Sequence, residues 1–200
     1  SIVDGTLAIH REMASRFLPS AVKFHYNFNM RDLAAVFQGL CSIHHSHVRD
    51  GLKVARLWMH ECERVYADRL ISNTEIQRCI EIIVDVAKRV IDDDQESLFK
   101  QPNAWTTFAT QTMDDSRAYL PIKSMASLKK VLHDQLNEYN EANAIMNLVL
   151  FDMAMLHVVR IARIIGFPQG NALLVGVGGS GKQSLARLAS FICGNTVTQV

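Results

Sequence analysis

Nine residues near the C-terminal end constrain this chain most: Gly176-Val177-Gly178-Gly179-Ser180-Gly181-Lys182-Gln183-Ser184. A short run without polar residues, Ala172-Leu173-Leu174-Val175, precedes them, and Leu185, Leu188, Ala189 and Ile192 follow at helical spacing. A run this short, apolar on both faces and bounded by glycine, predicts a buried strand of a parallel sheet. Strand, glycine-rich turn, lysine, hydroxyl residue and helix, in that order, make a phosphate-binding P-loop. The composition has a physical reason. Backbone N–H groups must converge on phosphate oxygens, which demands close approach and positive φ angles, so side chains are absent. The helix that follows aims its N-terminal partial charge at the same anion, and Lys182 adds a full positive charge for the β- and γ-phosphates.

One position departs from the usual pattern. Gln183 stands directly after the lysine, where Ser or Thr is common, and the hydroxyl follows at Ser184. The usual hydroxyl coordinates Mg²⁺, so Ser184 or Gln183 is the expected metal contact, with ATP or ADP as the ligand. Hydrolysis needs a later acidic strand end to hold Mg²⁺ and position water. The sixteen residues after Ser184 include neither Asp nor Glu, so this segment alone is expected to bind phosphate without hydrolysing it.

The rest of the chain reads as helix after helix. Asn29 caps a helix with Asp32 at its third position, a form of capping box, and Leu33, Val36, Phe37, Leu40 and Ile43 follow in register. A second helix carries Val54, Leu57, Trp58 and Val65, and a third carries Ile76, Ile80, Ile83, Ala87 and Val90. Asp92-Asp93-Asp94 predicts a solvated turn. Across 95–124, Pro102, Pro121 and the polar run Thr106–Ser116 break the helical period, while Trp105, Phe108 and Tyr119 offer anchors to a core. Helix returns at Leu128, Val131, Leu132 and Leu136, and again in the apolar stretch Ala144–Ile165. That stretch holds Asp152, His157, Arg160 and Arg163, each costly at a bilayer centre, so it predicts a buried helix and no membrane span. Met153 and Met155 are expected in the core, and Asp152 and Arg160 as buried polar partners. Thr196–Val200 opens as a further strand. The expected architecture is therefore mostly α with a partial α/β P-loop core, divided into residues 1–95 and 96–200.

Charge and cysteines narrow the function. Twenty-one basic side chains against twenty acidic ones give a formal charge of +1, which argues against a nucleic-acid surface. The four cysteines, at 41, 62, 79 and 193, form no C-x-x-C pair and suit reduced thiols of an intracellular protein. The first residues have neither a basic nor a long apolar region, unlike a signal peptide. Cys41, His44, His45 and His47 match no zinc spacing. His60-Glu61 begins an H-E-x-x-H pattern, but Arg64 takes the second histidine's place, so Glu61 and Arg64 are expected as a surface pair at i, i+3.

Leu148-Val149-Leu150-Phe151-Asp152-Met153-Ala154-Met155-Leu156-His157, then Gly170–Gly176 and the loop itself, resemble the start of the fourth AAA+ module of dynein heavy chains. Lys23–Leu33, Val36–Leu40 and Leu57-Trp58-x-His60-Glu61-x-x-Arg64-Val65-x-x-Asp68-Arg69-Leu70 are similar to the helical lid of the third module. Gly-Lys-Gln-Ser resembles the axonemal branch. The resemblance implies an AAA+ helical lid followed by the beginning of the next AAA+ large domain. It implies a parent that is an ATP-driven, minus-end-directed microtubule motor of the cilium or flagellum axoneme, with a coiled coil elsewhere. Partners would be neighbouring AAA+ modules, microtubules, and intermediate and light chains. The loop site would be chiefly regulatory, and Arg31 would be the sensor-2 arginine of the preceding module. From its position alone Arg31 reads equally as a surface salt bridge with Asp32 or another carboxylate, although a cation in a first helical turn opposes the helix dipole. A different class stays open: a non-catalytic interaction protein keeping the loop as a nucleotide clamp, or a truncated remnant without motor activity.

Overall fold

The computed structural model describes residues 1–92, 94–109 and 118–198. They form two compact units, Ser1–Asn103 and Ala104–Val200. Helices dominate both, and the sheet found among the described residues has two short strands.

The first unit is a helical bundle of α1 (Ile2–Arg16), α2 (Met30–Cys41), α3 (Gly51–Cys62), α4 (Asn73–Val90) and the single-turn α5 (Gln95–Leu98). Residue spacing alone starts the helices at Asn29 and passes over α1. The signal for α1 is a capping box between Ser1 and Asp4, followed by a buried seam of Thr6, Ile9 and Met13. The polar Thr6 is satisfied within that seam, because its hydroxyl donates to the Ile2 carbonyl at 2.7 Å and accepts from the Trp58 indole N–H at 2.8 Å. Asn29 and Asp32 close the expected capping box of α2. α3 runs directly into a π-helical turn, Glu63–Ala67, which buries Arg64, Val65, Tyr66 and Ala67. On α4 the buried seam is Cys79, Ile82, Ile83, Val86 and Ala87. Of the expected seam Ile83 and Ala87 lie in it, whereas Ile76, Ile80 and Val90 flank it, half-buried. Asp94 caps α5 by accepting from the N–H groups of Glu96 and Ser97, both at 3.2 Å; Asp93 lies outside the described residues.

The end of this unit is tied down by side chains. Arg56 on α3 donates to the carbonyls of Ser97 (2.7 Å), Leu98 (3.2 Å) and Pro102 (3.3 Å). Asn103 donates back to the Arg56 carbonyl at 2.9 Å, and the buried His60 donates through Nδ1 to the Asn103 carbonyl at 3.0 Å. These carbonyls are thereby given donors that the irregular backbone cannot provide itself.

The second unit contains β1 (Trp105–Thr106) paired antiparallel with β2 (Leu120–Pro121), then α6 (Met125–Ala142), α7 (Asp152–Gly166) and α8 (Lys182–Ile192). Trp105 and Tyr119 are buried with ring centroids 6.2 Å apart, and Phe108 packs half-buried on the core, so all three anchors act as expected. Residues 110–116 of the polar run lie outside the described residues. α6 buries Leu128, Leu132 and Leu136. α8 buries the four expected residues, Leu185, Leu188, Ala189 and Ile192, against α7 and α6.

Several expectations need correction. The apolar stretch 144–165 is not one helix: the helix begins at Asp152, and Ile145 and Val149 are exposed. Asn140, near the end of α6, holds Met146 at the start of the stretch, accepting from the Met146 N–H at 2.8 Å and donating to the Met146 carbonyl at 3.3 Å, which folds the chain back after α6. Met155 is in the core, but Met153 and Asp152 are exposed in the first turn of α7, so Asp152 is not a buried partner of Arg160. Residues 172–175 are neither paired nor buried: Leu173 and Val175 are 89% and 86% exposed. A strand apolar on both faces needs a neighbour strand and covering helices, and none stands beside it among the described residues. Thr196, Val197 and Thr198 are likewise unpaired, and the last two residues of that expected strand lie outside the described residues. Among the described residues no helix is long and apolar enough to cross a membrane.

Candidate phosphate-binding loop

The loop has the backbone geometry that its glycines require. Gly179 and Gly181 have φ of +74° and +78°, the left-handed region where a Cβ is strained. Gly181 is also the N-cap of α8, and no side chain caps the helix there. Among the described residues the first-turn N–H groups of α8 therefore have no side-chain acceptor, the arrangement that suits an anion. Residues 171–180 are all exposed, so the loop is open to solvent.

Lys182, the first residue of α8, folds back over the loop. Its Nζ donates to the carbonyls of Gly176 (2.8 Å) and Val177 (2.6 Å) and to Oγ of Ser180 (3.1 Å). A Cβ placed on Gly176 would lie 3.3 Å from Ser180 Oγ and 3.6 Å from Lys182 Nζ, so the bare glycine leaves room for this fold. The Lys182 charge is thus held at the mouth of the loop. In the next positions Gln183 is exposed and Ser184 half-buried. Both present oxygen, the donor type that Mg²⁺ takes, within the same helical turn as the lysine. That donor chemistry fits the ion.

The structure places Arg31 at the second position of α2, exposed, with its backbone N–H bonded to Asn29 Oδ1 at 2.8 Å. It does not pair with Asp32. That carboxylate accepts from Arg69 and from the Asn29 N–H (2.8 Å). The guanidinium of Arg69 also lies over Phe28, 5.2 Å from the ring centroid.

Glu61 and Arg64 are not a surface pair. Glu61 is fully buried, and Arg64, also buried, pairs with Glu63 and lies 3.4 Å from Asp68. The reason lies on α2, where Gly39 leaves a notch that the Glu61 carboxylate fills: a Cβ there would sit 1.8 Å from Glu61 Oε2. His44 accepts from the Ser46 N–H at 3.4 Å and so caps a short turn, His45–His47. Burial pushes the Cys62 thiol well up and the Cys79 thiol up to about 12, so neither is a ready nucleophile.

The three hydrogen bonds of Lys182 and the carbonyl staple of Arg56 leave no mark in the sequence. Most of their acceptors are backbone carbonyls, which every residue has, so composition carries no trace of them.

Two family models match the chain: an AAA+ lid domain over residues 2–101, and the P-loop containing dynein motor region D4 over residues 146–200. Among curated proteins, the chain is 51% identical to the dynein beta chain of the flagellar outer arm of Chlamydomonas reinhardtii. It is 49% identical to the ciliary dynein beta chain of Heliocidaris crassispina and 47% identical to dynein axonemal heavy chain 17 of Homo sapiens. Each match takes in 100% of this chain and 4% of the relative's length. The capped lid helices, the P-loop with its anchored lysine and the identity along the whole length agree: the chain belongs to the axonemal dynein heavy chain family and carries an AAA+ lid followed by the P-loop of the next motor region.

Proposed function

We propose that Gly176–Ser184 binds the phosphates of ATP or ADP within a dynein heavy chain, at a site that chiefly regulates the motor. One observation carries this reading: the Lys182 ammonium held over a loop with left-handed Gly179 and Gly181, at the uncapped start of α8. The backbone N–H groups orient the anion, the helix start and Lys182 stabilise its charge, and Ser184, or Gln183 in its place, supplies oxygen to Mg²⁺. When bound, Mg²⁺ neutralises charge between neighbouring phosphates.

Residues 1–95 then serve as the lid of one AAA+ module and residues 96–200 as the opening of the next. Exposed Arg31 is the lid's sensor-2 residue, reaching a phosphate held by the core of the lid's own module, for which a planar guanidinium suits bidentate contact. The parent works as an ATP-driven, minus-end-directed microtubule motor of the cilium or flagellum axoneme. Neighbouring AAA+ modules, microtubules, and intermediate and light chains are its partners. Hydrolysis at this site calls for an acidic strand end that holds Mg²⁺ and positions water.

The test is a titration of a fluorescent ATP analogue into the heavy chain with Lys182→Ala beside wild type. Loss of one saturable site supports the reading. An unchanged number of sites with unchanged affinities sinks it.

A further inference from the structure

The Lys182 ammonium has three N–H donors and no acceptor. All three are engaged inside the loop: by the carbonyls of Gly176 and Val177 at 2.8 and 2.6 Å, and by the Ser180 hydroxyl at 3.1 Å. A phosphate oxygen can bond to this ammonium only if one acceptor is released. The three are not equivalent. Both carbonyls carry partial negative charge, and losing the ammonium would leave them facing the incoming anion, so the cation has to stay between them and the phosphate. The Ser180 hydroxyl makes the longest of the three bonds, and it is exposed, so water can satisfy it after release. It is also the sole side chain among the three acceptors, and the bare Gly176 beneath it leaves space for it to turn.

We propose that Ser180 is a placeholder for phosphate: its hydroxyl occupies the third donor of Lys182 and is exchanged for a phosphate oxygen while Gly176 and Val177 keep the ammonium in position. Ser180 is then a positioning residue that acts through Lys182 and sets the affinity of the site. The proposal rests on the nucleotide reading given above. It makes a prediction of unusual sign. Deleting the hydroxyl removes a competitor, so binding tightens, by about two- to tenfold if one ordinary hydrogen bond no longer has to be exchanged.

The test uses the full heavy chain and an acyl phosphate of ATP. The Lys182 amine attacks the acyl carbon of the bound probe. The ammonium first gives one proton to water to free its lone pair, the N–C bond forms, the bond from acyl carbon to phosphate oxygen breaks, ATP leaves and the nitrogen loses a second proton to water. Mass spectrometry of the peptide carrying Lys182 then reads this site apart from every other nucleotide site. The quantity compared is the ATP concentration that halves the labelling, which does not depend on the intrinsic reactivity of the lysine.

Ser180→Ala should lower that concentration about two- to tenfold. Ser180→Gly, which also lacks the hydroxyl, should do the same in a loop already rich in glycine, and Ser180→Thr should stay near wild type. An unchanged or higher concentration for both Ala and Gly overturns the placeholder; a higher one means that Ser180 bonds the phosphate directly or only supports the loop. If ATP fails to protect Lys182 in the wild type, the nucleotide reading falls and takes this proposal with it. Protection in the wild type without the gain removes the placeholder alone.

Discussion

Replacing Gly39 by alanine tests whether the lid is built around a buried carboxylate. In the structure a Cβ at that position would lie 1.8, 2.3 and 2.8 Å from Oε2, Cδ and Cγ of Glu61, a side chain that is 0% exposed. Two opposing effects decide the outcome. Alanine in a helix interior gains roughly 1 kcal/mol over glycine from backbone entropy. Against it stand an overpacking cost of about 1–3 kcal/mol and the displacement of a buried, partnered carboxylate, which costs about 3–5 kcal/mol if its partner is lost outright. Partial displacement gives a net loss of roughly 2–4 kcal/mol. For a unit of this size that is a fall in melting temperature on the order of 10–20 °C. Thermal unfolding followed by circular dichroism measures it. The double variant Gly39→Ala with Glu61→Ala should cost less than the sum of the two single changes, because the clash needs both side chains. A Gly39→Ala chain as stable as wild type, or more so, would refute the close packing and leave the intrinsic helix gain in command.

Other consequences follow from the same structure. Arg56→Ala removes the guanidinium that bonds three carbonyls, and amide hydrogen exchange within 97–103 should rise by about tenfold or more, whereas α4 stays protected. The Lys23 ammonium, 2.5 Å from Glu75 Oε1, together with the Tyr26 hydroxyl, holds the Glu75 carboxyl below its ordinary value. A depressed acid stabilises the fold above its unfolded pKa and loses that contribution as pH falls through the folded one. Glu75→Gln should therefore be less stable than wild type at neutral pH, by under about 1 kcal/mol for a half-buried pair that solvent still screens, and match it in strong acid. Gly181→Ala places a Cβ at φ +78° and should weaken nucleotide binding while costing about 1–2 kcal/mol in the loop, read by hydrogen exchange across α8.

What was legible in the sequence were features that repeat or punctuate. The seam of α8, the capping box at Asn29 and the order of glycines, lysine and helix all rest on spacing, which survives without coordinates. The loop's left-handed positions could be inferred because glycine adopts them without the strain that a Cβ brings. What failed was any inference from local hydrophobicity about partners far along the chain. Leu173 and Val175 read as a buried strand, yet burial is a property of neighbours, and none of the described residues flanks them. Glu61 read as a surface charge because carboxylates are mostly exposed; the notch that houses it, at Gly39 on a different helix, leaves no periodic mark. Asp32 was read beside Arg31, its neighbour in sequence, although its partner Arg69 comes from the far side of the π turn. For Glu61 and Asp32 the chain spacing was right and the contact was made elsewhere.

The structure of the heavy-chain motor with a non-hydrolysable ATP analogue tests the central claim most directly. The account predicts phosphate density within the loop, an oxygen about 2.7–3.1 Å from Lys182 Nζ, and bonds from the N–H groups at the start of α8. This loop empty of phosphate, with Lys182 still bonded to Ser180 at saturating analogue, would contradict it.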